Sequence, residues 1–236
     1  LEYYEKSLSI LESLLGANHP DVATSYNNIG LVYKDQGDYP RALEYYEKSL
    51  SIYKSLFGVN HPNVALSYNN IGAVYVDQGD YSRALEYYEK SLSIRESLFG
   101  VNHPAVALSY NNIGLVYYYR GDYPRALEYY EKSLSIRESF FDVNHPDIAF
   151  SYNNIGAVYS DQGDYPRALE YLEKSLSIRE SLFGDNHPDV ALSYNNIGTV
   201  YADQGDYPRA LEYYEKSLSI RKSLFGDNHP DVALSY

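Results

Sequence analysis

Apolar residues recur along this chain in two alternating stretches, and both keep helical spacing. Val64, Tyr68, Ile71 and Tyr75 fall three or four residues apart, as on one face of an α-helix. Tyr81, Ala84, Leu85, Tyr88 and Leu92 repeat that spacing in the next stretch. No segment alternates apolar and polar residues as a half-buried strand does. The punctuation between stretches agrees. His61-Pro62 precedes the first stripe, and proline suits a first helical turn because its missing N–H would be unpaired there. Aspartate follows the proline at Asp21, Asp147, Asp189 and Asp231, and negative charge favours a helix N-terminus. Gly79 is placed to end the first helix, Asp80 to cap the second, and Phe99-Gly100 to close it. Glu86 and Lys90, four apart, add a helix-surface pair in the favourable order.

The predicted hairpin is repeated. Every histidine falls on one spacing of 42 residues: His19, His61, His103, His145, His187 and His229. The surrounding unit recurs almost verbatim. A fixed period of about 20–50 residues indicates a solenoid, propeller or array. The expected fold is all-α: an α-α superhelix, or solenoid, of antiparallel helical hairpins with a 42-residue period. Leu1 aligns with Leu43 and Tyr236 with Tyr26, so the chain starts in the second helix of one repeat and ends early in the first helix of another. No Ser/Gly-rich linker or charge block interrupts it, which predicts a single continuous array over residues 1–236.

Composition narrows the function classes. The chain has 30 Tyr but no Trp, Cys or Met, and 32 Asp+Glu against 19 Lys+Arg, a formal net charge of -13. Without Cys there is no disulfide scaffold, thiolate metal site or Cys nucleophile. The acidic balance argues against nucleic acid, which requires Lys and Arg to displace counterions from phosphates. No apolar run approaches the ~18 residues of a membrane span. The N-terminus lacks a basic-then-apolar signal segment. No membrane association and a cytoplasmic location are expected. Because the first residue is not Met, an excised or processed fragment is expected too. The Tyr excess follows from repetition: Tyr26, Tyr33, Tyr39 and Tyr46, with their copies, form the expected aromatic packing set. Tyr45 and its copies are expected to face solvent.

The residues Tyr26, Ile29-Gly30 and Tyr33, then Ala42 and Tyr46, resemble the tetratricopeptide pattern of an aromatic, Leu-Gly, Tyr, then Ala and Phe. The small Gly30 and Ala42 stand where that family packs its two helices closely. A propeller of the WD40 kind would need four strands per unit and a Trp-Asp signature, and HEAT arrays lack these fixed small residues. The unit departs from the family in having Tyr26 where Trp is frequent, Lys54 near its closing Pro, and a period longer than the usual ~34 residues. The extra residues are Phe57 to Val64. The chain is similar to the long-repeat subclass typified by kinesin light chain, which shares a His-Pro-Asp-Val helix start and an Asn-Asn pair. The resemblance spans the whole chain. It implies a non-enzymatic protein-interaction scaffold whose first helices line a concave groove.

Near-identity of the units argues against catalysis, because an active site needs different groups converging on one point. The histidines are displaced from one another by whole repeats. With the neighbouring Asn they are suited to satisfying free N–H groups at helix starts rather than to binding metal. Ser91, in Ser91-Leu92-Ser93, reads as a small packing residue, and the glycines as single turn or contact residues. No catalytic residue, metal or cofactor is expected.

The Asn pairs are the polar feature to explain: Asn27-Asn28, Asn69-Asn70, Asn111-Asn112, Asn153-Asn154 and Asn195-Asn196. Mid-helix Asn costs roughly 0.5 kcal/mol relative to Ala, so a compensating role is required. Two compatible roles present themselves, hydrogen bonding between neighbouring repeats and gripping the backbone of an extended peptide, a task that suits an amide because it both donates and accepts. The resemblance implies the second. Four and seven residues beyond the first Asn of each pair the copies differ: Leu31 and Lys34, Ala73 and Val76, Leu115 and Tyr118, Ala157 and Ser160, Thr199 and Ala202. These positions share that Asn's helical face. So do Thr24, Leu66, Leu108, Phe150 and Leu192. The candidate peptide groove is therefore an Asn ladder (Asn27, Asn69, Asn111, Asn153, Asn195) between variable walls, with Tyr118 and Tyr119 breaking the repeat pattern toward it. Lys34 is its one clear cation, with Arg120 at its edge, while Asp35, Asp77, Asp161 and Asp203 line the rim. A neutral or mildly basic, partly apolar peptide fits that balance.

The chain ends suggest an alternative. Leu1, Tyr4, Leu8 and Leu11 form an apolar stripe without a preceding partner, and Pro230 to Tyr236 form a helical stub too short to be stable alone. Head-to-tail self-association is expected from such open ends. A structural or self-assembling array, engineered or recently duplicated and without a specific groove ligand, is the competing function.

Overall fold

The computed structural model describes residues 1–226 together with residues 229 and 232. Among the described residues there are eleven helices and no strand. They are α1 (Glu2–Leu15), α2 (Pro20–Asp35), α3 (Tyr39–Phe57), α4 (Pro62–Asp77), α5 (Tyr81–Phe99), α6 (Pro104–Tyr119), α7 (Tyr123–Phe140), α8 (Pro146–Asp161), α9 (Tyr165–Phe183), α10 (Pro188–Asp203) and α11 (Tyr207–Phe225). The fold class is the expected all-α hairpin solenoid, and the helices recur with the period of the histidines. None of the described helices is long and apolar enough to cross a membrane.

Each hairpin is built from local chemistry. At the start of α4, His61 Nδ1 accepts the Asn63 N–H at 3.2 Å, and Pro62 opens the helix. His19, His103, His145 and His187 cap α2, α6, α8 and α10 in the same way. In three of these the imidazole has a second role: His61, His103 and His187 stack on the last Phe of the preceding helix, His61 on Phe57 with centroids 4.3 Å apart. The adjacent Asn does not cap. Asn60 Nδ2 instead donates to Ser97 Oγ at 3.1 Å, reaching the second helix of its own hairpin.

The turn between α4 and α5 is closed by two backbone bonds, Gly79 N–H to Val76 O and Asp80 N–H to Tyr75 O, both 2.9 Å. Gly79 has φ +75, which an L side chain rarely adopts. Asp80 then caps α5 by accepting the Arg83 N–H at 3.0 Å, and Arg83 Nε donates back to its carboxylate at 2.6 Å. The guanidinium lies over the Tyr75 ring, 4.5 Å from its centroid. Those bonds hold the Asp80 carboxyl below its ordinary range, as they do for Asp38, Asp164 and Asp206.

Packing inside a hairpin depends on a missing side chain. A Cβ on Gly72 would stand 2.8 Å from the Tyr88 ring, and one on Gly30 would stand 2.9 Å from that of Tyr46. Ser91 is fully buried and donates to Ala65 O at 2.8 Å, as the small-residue reading anticipates. The first helices bury more than the single stripe their spacing predicts: Val64, Ala65, Ser67, Ile71, Gly72, Val74 and Tyr75 are all buried in α4. Such a helix packs against its hairpin partner and against the preceding hairpin too.

The chain forms two compact units, Leu1–Arg120 and Gly121–Tyr236. In the first, α2 pairs with α3 and α4 with α5, while α1 on α2, α3 on α4 and α5 on α6 join successive hairpins. In the second, α8 pairs with α9 and α10 with α11, while α7 on α8 and α9 on α10 make the joins. Tyr33 and Tyr46 are buried as expected. Tyr45 is a correction: it is half-buried, stacked on Tyr33 with centroids 5.5 Å apart and tilted beside Tyr26 at 5.9 Å. A tyrosine expected on the surface instead completes a three-ring cluster. The stub expected from Pro230 to Tyr236 lies, apart from residue 232, outside the described residues.

Candidate functional site

The candidate groove residues occupy the first helices: Asn27, Leu31 and Lys34 on α2; Asn69, Ala73 and Val76 on α4; Asn111, Leu115, Tyr118 and Tyr119 on α6; Asn153, Ala157 and Ser160 on α8; Asn195, Thr199 and Ala202 on α10. Leu31, Tyr119 and Thr199 are exposed, Asn111 is buried, and the rest are half-buried. The wall positions Leu66, Leu108, Phe150 and Leu192 are exposed as well.

The Asn pairs interlock. Asn70 Nδ2 donates to Asn27 Oδ1 at 2.7 Å, Asn112 Nδ2 to Asn69 Oδ1 at 2.8 Å, and Asn196 Nδ2 to Asn153 Oδ1 at 2.8 Å. The second Asn of one repeat thus bonds the first Asn of the repeat before it. The two roles considered for the pairs are divided between atoms rather than between residues. The first Asn gives its carbonyl to the array and retains its amide. Among the described residues the Nδ2 groups of Asn27, Asn69 and Asn153 have no other partner.

Beside Asn153 the second unit has a hollow of about 380 Å³. Phe150 and Leu192 line it with Asn153, and the buried Arg179 forms part of its wall. A second hollow of about 180 Å³ lies between α8 and α10, lined by Ala157, Ser160, Asp161, Leu172, Asn196 and Thr199 among others. The Asn153–Asn196 bond has one partner in each hollow.

The charges differ from the simple inventory. Lys34 Nζ lies 2.9 Å from Asp77 Oδ2, a rim carboxylate of the next repeat, so the groove's one cation is paired. Tyr119 stacks on Tyr81 with centroids 6.2 Å apart, and Tyr118 is tilted against Tyr119 at 5.6 Å. Among the described residues no cluster of three or more His, Asp or Glu side chains is placed to hold a metal ion.

Other residues tie repeats together and were not singled out by the hydrophobic pattern. Arg95, Arg137 and Arg179 are buried on the second helices. Arg95 Nη1 donates to Ala105 O at 3.0 Å and Ser109 Oγ at 2.9 Å, and Arg179 Nη1 to Asp189 O at 3.2 Å and Ser193 Oγ at 2.8 Å. Burial depresses the pKa of each of these guanidiniums. Tyr26, Tyr110, Tyr152 and Tyr194 donate to Glu12, Glu96, Glu138 and Glu180 of the preceding helix. Where Lys54 takes the Glu position, its ammonium lies over the Tyr68 ring at 4.9 Å instead. The signal for these links is the period itself: a charged residue repeated at a helical position that should be core.

A tetratricopeptide repeat model matches residues 1–55, 29–97, 63–139, 147–223 and 193–236. Among curated proteins, none matches the chain. Among solved structures, BtubC (BKLC) from P. vanneervenii superposes with a TM-score of 0.81 at 24% identity, over 97% of this chain and 92% of that one. A kinesin light chain protein of Podosopora anserina, with nearly identical TPR-like repeats, gives 0.72 at 22% identity over 88% and 98%. The apo form of RapI gives 0.70 at 21% identity over 93% and 59%. At these identities the likeness concerns the fold. Together with the family match, which leaves out only residues 140–146, it establishes that the chain belongs to the tetratricopeptide repeat family.

Proposed function

We propose that this protein is a non-enzymatic interaction scaffold, acting as one array, that holds an extended peptide along the exposed face of its first helices. The observation that carries the reading is the interlocked Asn ladder, which leaves the Nδ2 donors of Asn27, Asn69 and Asn153 without a described partner. Donors at the same position of α2, α4 and α8 suit the carbonyls of an extended backbone. The hollow lined by Asn153, Phe150 and Leu192 suits an apolar side chain beside them. The wall residues named from the sequence then set which peptide is preferred.

The test keeps the fold and removes the donor. Asn69→Asp and Asn153→Asp retain an oxygen for Asn112 and Asn196 but lose the amide N–H. A peptide array probed with the wild-type chain is expected to select related neutral or mildly basic sequences, and the double variant to lose them with little change in melting temperature. Binding that survives the double variant removes the ladder from the mechanism.

Head-to-tail association is a second reading, supported by α1, which has no buried residue: of the expected stripe Leu1 and Tyr4 are exposed while Leu8 and Leu11 are half-buried, and Tyr3, Ile10 and Leu14 are exposed beside it. Sedimentation at high concentration is expected to show oligomers that Leu14→Glu dissolves. Monomer alone would remove the idea.

A further inference from the structure

The second hollow exists because one repeat departs from the others. Its floor is Leu172, at the position where other repeats carry Tyr46, Tyr88, Tyr130 and Tyr214. In the first unit that position is filled: Tyr46 is buried against Gly30, and its phenol lies near Asp35 and Asp77. Replacing the phenol by leucine leaves a space of about 180 Å³ at the copies of those carboxylates, Asp161 and Asp203. A cavity of about 150 Å³ takes a six-membered ring, so this one has room for a long side chain.

A second departure removes charge from the same place. Lys34 supplies the cation at Asp77 in the first unit. Its copy beside the hollow is Ser160. Among the described residues neither Asp161 nor Asp203 has an ion pair. Each is the last residue of its helix, α8 or α10, where the negative end of the helix dipole adds to the carboxylate. Volume and positive charge are thus both missing at one point, and the chain itself shows what supplies them elsewhere.

We propose that this hollow receives the side chain of a lysine or arginine from the extended partner, its stem on Leu172 and Ala157 and its head between Asp161 and Asp203. The assignment rests on the groove reading and names the side chain that one position of the bound peptide must carry. Ser160 offers a hydroxyl at the margin of the same space, whereas the Thr199 hydroxyl donates to Asn195 O and accepts from Tyr214.

The test uses the full chain, a positional-scanning library of short peptides, and two variants that restore residues present in other repeats, Leu172→Tyr and Ser160→Lys. Because each variant copies an existing repeat, an unchanged fold is expected, checked by circular dichroism and melting temperature. Wild-type selection should demand Lys or Arg at one position, and each variant should weaken such peptides about tenfold. Asn153→Ala, which adds no charge, should weaken all peptides alike. Peptides that bind through Asn153 without a basic preference, that prefer an aromatic residue there, or that ignore both variants overturn the pocket and leave the groove standing. If no peptide binds, the groove reading fails, and methyl NMR with Nα-acetyl-arginine N-methylamide decides the pocket by itself. Shifts of Leu172 and Ala157 methyls at millimolar probe, lost in Ser160→Lys, uphold it. Their absence overturns it.

Discussion

The α2–α4 junction of the first unit and the α8–α10 junction of the second share a backbone plan and differ in what fills it. In the first, Tyr46 occupies the floor and Lys34 bridges to Asp77. In the second, Leu172 and Ser160 leave a hollow between unpaired carboxylates. The caps, glycine turns and Asn–Asn bond are the same in both. The difference teaches that the repeat separates two tasks. The caps, turn glycines and Asn pairs recur in both, while variation falls on the exposed face, at Lys34 and Ser160, and also on a buried packing position, at Tyr46 and Leu172.

Several measurements would break or sharpen that contrast. The largest effect is expected at the buried arginines. Arg179→Ala removes two charge-assisted bonds and should lower stability by about 3 kcal/mol in urea melts. At the corresponding place in the first unit Tyr53 hydrogen-bonds only Thr24 of its own hairpin, at 2.9 Å, and Tyr53→Phe should cost about 1 kcal/mol or less. Equal losses would mean the arginine link is not the stronger joint. Next come the contact glycines. Gly72→Ala drives a methyl into the Tyr88 ring and should cost about 2 kcal/mol. Gly156→Ala meets Leu172 Cγ at 2.8 Å and the Ala168 carbonyl oxygen at 3.2 Å; leucine can turn into the adjoining hollow but the carbonyl cannot, so a comparable loss is expected.

Filling the hollow tests the comparison in the opposite direction. Leu172→Tyr should raise stability by about 1 kcal/mol with an unchanged denaturant slope. A loss would show that the space is closed in solution. Lys34→Met should cost only about 0.5 kcal/mol, less at high salt, because the Lys34–Asp77 pair is partly exposed. The smallest effect concerns pH. Burial first, and then the charges of Asp35 and Asp77, push the Tyr46 phenol from 10.0 up to about 12. Unfolded tyrosine ionises at lower pH, so this contribution to stability is complete below pH 10 and is lost as pH rises through about 12. Tyr46→Leu should make the alkaline limb of the stability curve shallower by at most one proton, read from urea midpoints. An unchanged limb would show that Tyr46 does not titrate differently on folding.

Helix ends were the most legible part of the sequence. Caps and turns act within a few residues, so His61-Pro62, Gly79 and Asp80 mark them directly, and the period multiplies each signal. The exposed face was legible in outline too, because α4 places Asn69, Ala73 and Val76 by helical geometry alone. Atom-level roles were not. That Asn153 gives its carbonyl to Asn196 and keeps its amide depends on the distance between α8 and α10, which no local pattern contains.

The same boundary runs through the rest of the molecule. Repetition and capping chemistry are sufficient to dictate an all-α chain of hairpins, because hydrogen bonds within a turn and an apolar stripe on each helix need no distant partner. The three-ring cluster around Tyr45 arises only when the two helices of a hairpin pack, and burial of Arg95, Arg137 and Arg179 and the hollow over Leu172 only when one hairpin is laid on the next. Each depends on residues many positions apart meeting at van der Waals distance. Side-chain volume and charge are balanced there across helices, and it is packing that converts one Tyr-to-Leu difference between otherwise similar repeats into an opening.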